Sequence, residues 1–140
     1  MHYQEVEGAR EYVARLRHGR DWRGQIKEFA DEEGIDAAFF YGLGAVKDVT
    51  LKFYDQEDGV YESITFDEHL EMTPAVGTIS WLDDERFAHT HAVLSREDGT
   101  TVAGHLDTAT TFAGELYVRE FDAHLDREYD DVTDLDLWPL

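Results

Sequence analysis

The chain has 140 residues and a mass of 16.1 kDa, enough for one domain with a packed core and too little for several. Its 32 Asp and Glu against 12 Lys and Arg give a formal net charge of -20, which argues against nucleic-acid binding through phosphate neutralisation. Cysteine is absent, so disulfides and thiolate metal sites are excluded, and the longest apolar run, Ala37 to Tyr41, is far too short to span a membrane.

The same charge predicts a protein adapted to molar salt, where the Debye length shrinks to about 3 Å and self-repulsion is screened. The N-terminus, Met-His-Tyr-Gln-Glu, shows no basic region followed by an apolar one. The expected location is therefore the cytoplasm, in a halophilic cell.

Residues 1–10 are polar and weakly patterned, a leader or an edge strand. From Glu11 to Arg17, Tyr12, Ala14 and Leu16 alternate with Val13, Arg15 and Arg17, which predicts a strand. His18-Gly19-Arg20 ends it. Asp21 is placed to cap a helix in which Trp22, Ile26, Phe29 and Ala30 recur at helical spacing, and Gly34 closes it.

Ala37 to Val46 is a continuous apolar run, which predicts a strand buried on both faces. Gly42 and Gly44 within it lack the third glycine, following helix and acidic residue of a dinucleotide site, so a bulge or close backbone packing explains them better. Asp48 to Tyr54 and Val60 to Phe66, joined by Gln56-Glu57-Asp58-Gly59, predict an antiparallel hairpin. Leu70 to Met72 and Val76 to Trp81 read as strands broken at Pro74, with Leu82 to Arg86 as a loop.

The stretch Phe87 to Leu106 holds most of the chemistry. Two short apolar segments flank Arg96-Glu97-Asp98-Gly99-Thr100, a hairpin loop. His89 and His91 are two residues apart and share a strand face. A three-residue loop, Glu97 to Gly99, pairs Arg96 with Thr100 and sets His91 opposite His105, so that three imidazoles converge on one face. A two-residue Asp98-Gly99 turn would instead send His105 to the opposite face.

Three imidazoles in that triangle are the donor set of a divalent metal such as zinc, with a fourth position left for water or substrate. The other reading is three half-exposed strand histidines. A metal with this donor set has the capacity for hydrolysis, with Glu71 or Glu115 as a base if the sheet order brings either near. His2, His18 and His124 stand alone, and His69 lies beside Glu68 and Glu71 with nothing local to orient it. No serine nucleophile motif or phosphate loop is present.

Thr108 to Phe121 predicts one long or two short strands. Asp122 to Leu140 is acidic and ends Leu-Asp-Leu-Trp-Pro-Leu, either a docking peptide or a solvated tail whose Trp138 packs on its own domain or on a neighbouring subunit. With no internal repeat or linker, residues 1–140 form a single domain with its core at about 10–121. The fold class is α+β: a mostly antiparallel sheet of seven or eight strands with one main helix on a face.

Four segments together resemble the PPC (plant and prokaryote conserved) domain: Arg17 to Asp21, Ala38 to Val49 with its Gly-Leu-Gly-Ala-Val, Phe87 to Ser95 with His89-Thr90-His91, and Gly104-His105-Leu106. The similarity covers about residues 10–121. It implies an α+β domain assembled as a homotrimer and, as in prokaryotic members, a metal site on His89, His91 and His105. Plant members carry an AT-hook that contacts DNA. This chain has no Arg-Gly-Arg-Pro element, since Arg23-Gly24 is followed by Gln25. The expected role is that of a trimeric metal-binding protein with a regulatory or partner-binding function; the alternative is a zinc-dependent hydrolase or lyase acting on a small substrate.

Overall fold

The computed structural model of the chain describes residues 1–140. Strand β1 (Gly8–Leu16) turns Tyr12, Ala14 and Leu16 toward the core and leaves Val13 and Arg15 exposed, the alternation of a half-buried strand. Helix α1 (Trp22–Glu33) begins at Asp21, whose carboxylate accepts a hydrogen bond from the Gly24 amide at 2.7 Å. Gly34, with φ 68°, closes it in the left-handed conformation that glycine adopts without a Cβ clash. Trp22, Ile26 and Ala30 bury one stripe of the helix, and α1 packs on the strands Glu85–Ser95 and Thr101–Phe121.

The remaining strands are β2 (Ala38–Asp55), β3 (Val60–Phe66), β4 (Leu70–Leu82), β5 (Glu85–Ser95), β6 (Thr101–Phe121), β7 (Glu128–Asp130) and β8 (Leu135–Leu137). Strands β1 to β6 form one antiparallel sheet in the order β1-β6-β5-β4-β2-β3, and β6 also pairs with β2. That second pairing closes β6-β5-β4-β2 into a ring. Its interior and the underside of α1 share one core, which includes Trp22, Phe40, Leu51, Met72, Ile79, Leu94, Leu106 and Val118. One main helix on a mostly antiparallel sheet is the fold class expected from the sequence.

Several local expectations change. The apolar run from Ala37 is not buried on both faces: Ala38, Phe40 and Gly42 point inward, while Phe39, Tyr41 and Leu43 are 43%, 49% and 56% exposed. β2 also runs on through Asp48, at φ 51°, so two expected strands are one. The glycines do serve close packing. A Cβ on Gly44 would strike the Ala113 carbonyl oxygen, and the β2–β4 register shifts between Gly42 and Gly44.

Pro74 does not break β4. The ladder to β5 absorbs it as a register shift between Met72 and Ala75. The expected loop at Leu82 to Arg86 is a two-residue turn, with Asp83 and Asp84 at φ 52° and 61° and Leu82 paired with Glu85.

The acidic C-terminal stretch is folded. The Trp81 amide donates to the Leu125 carbonyl at 2.8 Å, and the Arg127 amide to the Trp81 carbonyl at 2.9 Å. These bonds dock the small β7–β8 hairpin over the outer face of the ring. Trp138 packs on this same chain, its ring 5.8 Å from the Arg127 guanidinium carbon.

Candidate metal centre

The β5–β6 hairpin has the three-residue loop. The Arg96 amide donates to the Thr100 carbonyl at 2.9 Å, Gly99 sits at φ 82°, and Ser95 pairs with Thr101. His91 is therefore the direct cross-strand partner of His105. Ala88, Thr90 and Ala92 fill the core from β5, so His89 and His91 stand on the outer face by strand alternation.

One nitrogen from each of His89, His91 and His105 lies within 4.8 Å of the others. His89 Nε2 is 3.2 Å from His105 Nδ1. Two nitrogens bound to one tetrahedral zinc at about 2.0–2.1 Å are separated by about 3.3–3.4 Å, so the spacing already matches a shared ion. The His91 and His105 ring centroids are 4.0 Å apart.

The electrostatics suit ligation, which needs neutral imidazole. Burial, followed by the nearby charges of Arg127, His91, His105 and Arg23, pushes His89 down to about 4. Burial also lowers His91, and burial followed by the neighbouring His91 lowers His105. The residues present fit a divalent metal, which would bring Lewis acidity and an open fourth position to this face.

Neither carboxylate nominated as a base is near. Glu71 pairs with Ser95, four residues along β5 from His91 and so roughly 13 Å away at about 3.3 Å per residue. Glu115 pairs with Leu43 and Arg15, ten residues along β6 from His105. The other histidines remain apart from the trio. His18 Nδ1 bonds the Phe112 carbonyl at 2.9 Å, His124 Nε2 lies 3.2 Å from Asp126, and His2 and His69 are exposed.

The residues sequence reading missed come from other elements. Phe87 lies parallel to His89, with ring centroids 6.0 Å apart and 14° between planes, and Tyr61 of β3 meets His105 edge-on at 5.3 Å. Arg127, from the C-terminal segment, places Nη2 3.3 Å from His89 Nδ1. Phe87 could have been found, since it continues the odd-numbered face of β5. Nothing in the local pattern around Arg127 announces it.

A search of curated proteins finds no match. Among solved structures, the metal-containing protein AF0104 from Archaeoglobus fulgidus is similar at 35% identity and TM-score 0.95, with all of both chains covered. A plant- and prokaryote-conserved protein from Pyrococcus horikoshii is 28% identical at TM-score 0.94, covering 100% of this chain and 98% of its own. A candidate DNA-binding protein from Bacteroides thetaiotaomicron is 26% identical at TM-score 0.86, covering 95% of this chain and 96% of its own. The Plants and Prokaryotes Conserved (PCC) domain profile matches residues 3–122. The fold, the histidine hairpin and this match over most of the length agree: the chain belongs to the Plants and Prokaryotes Conserved domain family.

Proposed function

We propose that this protein is a homotrimeric metal-binding regulator or partner-binding module that holds zinc, or another divalent transition metal, on His89, His91 and His105. Residues 1–140 act as one unit in each subunit. The observation that carries the reading is the His91–His105 cross-strand pair with His89 within reach of the same ion. The description of the Archaeoglobus relative as metal-containing supports it. An outward band of Phe39, Tyr41, Leu43 and Val76, each at least 39% exposed in the single chain, supports a subunit contact.

Direct DNA binding, the role offered for the Bacteroides relative, runs against a net charge of -20. The hydrolase alternative loses its nominated bases, since Glu71 and Glu115 pair elsewhere in the sheet.

The test is metal analysis of the purified protein beside the His89→Ala/His91→Ala double variant. The wild type is expected to carry close to one metal per chain and the variant almost none. Equal content in both proteins overturns the assignment.

A further inference from the structure

Nine of the twelve cationic side chains have a carboxylate within 4 Å; the exceptions are Arg15, Arg17 and Arg127. Arg15 and Arg17 are exposed and solvated. Arg127 is half-buried, so in a chain with 32 acidic residues the one cation withdrawn from solvent with no carboxylate within 4 Å stands beside the histidines, and Asp136 acts on it only at longer range. Withdrawing an unpaired charge from water is costly, and such a charge is normally balanced by an anion.

Arg127 is also fixed in place. Nε donates to the buried Ser80 hydroxyl at 3.0 Å and Nη1 to the Asp136 carbonyl at 3.0 Å. Its guanidinium carbon lies 5.6 Å from the Phe87 ring centre and 5.8 Å from that of Trp138. Phe87 carries a second guanidinium as well, that of Arg23 at 5.7 Å. Both arginines line a cavity of about 510 Å³ with His89, His105 and Lys52, a volume in the range of small-molecule sites. Of the carboxylates on the wall, Asp107 is already held by Lys52 at 3.0 Å and Arg23 at 3.6 Å, while Asp134 and Asp136 are exposed.

Arg127 Nη2 meets His89 Nδ1, and a guanidinium only donates, so that Nδ1 is an acceptor and the ring proton sits on Nε2. Were Nε2 to hold a metal, the ring proton of His89 would sit on Nδ1. Nδ1 and the Arg127 guanidinium would then face each other as two donors, and Arg127 would release His89.

We propose that this cavity takes a small oxyanion, a carboxylate or a phosphate, bound between the metal on the histidines and the Arg127 guanidinium freed by metal binding. The inference rests on the metal reading above. It makes the two ligands cooperative: a metal on His89 would free Arg127 Nη2, and Nη2 together with Arg23 would hold the anion beside the histidines. Guanidinium hydrogen bonds suit both oxyanion types, and only the anion's size and charge separate them.

The experiment titrates cobalt(II) into the metal-free protein, read by calorimetry and by the visible cobalt spectrum, alone and with saturating malonate or inorganic phosphate. In the wild type, one of the two anions is expected to tighten cobalt binding by about tenfold and to change the spectrum. Arg127→Met should bind cobalt alone at least as tightly as wild type, because a cation beside a ligand is gone, and should lose the anion effect. Arg23→Met, which leaves the C-terminal hairpin undisturbed, should likewise bind cobalt alone at least as tightly as wild type and should weaken the anion effect. The opposite signs in Arg127→Met separate the proposal from simple unfolding. Normal cobalt binding that neither anion alters, or an anion effect equal in all three proteins, overturns the anion site alone. A wild type that binds no cobalt overturns the metal reading, and the anion site with it.

Discussion

Arg96 shows how one side chain ties the metal hairpin to the rest of the sheet. It opens the β5–β6 loop, its guanidinium lies 5.5 Å from the Phe66 ring centre, and it grips Glu68 with Nε and Nη2 at 2.8–3.1 Å. That pair spans the gap between the start of β4 and the hairpin loop. Hydrogen bonding from Arg96, reinforced by its charge and opposed by desolvation, lowers the Glu68 pKa below 4.5. Because the folded pKa is depressed, the pair's contribution is present above the unfolded value and fades as pH falls through the folded one. Both side chains are half-buried, with 33% and 37% of their surface still in water, so solvent screening keeps the energy small. The shift itself is measurable: in Arg96→Met the Glu68 carboxyl carbon, followed by NMR, should titrate at a higher pH than in the wild type. A Glu68 midpoint unmoved by the substitution would show that another group sets it.

At the scale of elements, Asp21 joins the helix to the sheet. One carboxylate oxygen caps α1 through the Gly24 amide at 2.7 Å, and the other accepts from the Ala109 amide of β6 at 2.9 Å. Asp21→Ala removes both acceptors and should cost about 1–2 kcal/mol, more than a cap that serves the helix alone. Denaturant unfolding checks this, and a midpoint shift no larger than that of Asp31→Ala on the exposed helix face would contradict the double role. The helix was legible because its cap, its apolar spacing and its closing glycine all agree. The histidine hairpin was legible for a related reason: in a strand a residue's parity decides its face, so loop length alone decides whether His105 joins His91. The C-terminal hairpin was not legible. Its strands are three residues each and bury little, and what places them is a pair of backbone bonds to Trp81, a contact between segments more than forty residues apart. Arg127 was lost with it. The exposed face of β2 was misread because a run such as Ala-Phe-Phe-Tyr-Gly-Leu has the same composition whether both of its faces meet a core or only one does.

For the whole molecule, the two unusual features, a charge of -20 and an apolar outer band, bear on one equilibrium. Joining three such chains multiplies the self-repulsion while burying Phe39, Tyr41, Leu43 and Val76. The repulsion is long-ranged and falls with salt, from a Debye length of about 10 Å at 0.1 M to about 3 Å at 1 M, whereas apolar burial is not screened. Assembly and stability should therefore rise together with salt. Light scattering in molar KCl is expected to give three times the chain mass of 16.1 kDa, and the melting temperature should climb from low to molar KCl. Because the histidines adjoin the band through the Val76–His91 pairing, metal occupancy should follow assembly along the same series. A monomer in molar KCl overturns the trimer, and a melting temperature indifferent to KCl overturns the salt adaptation. A metal content constant while the mass changes would show that each chain holds its ion alone.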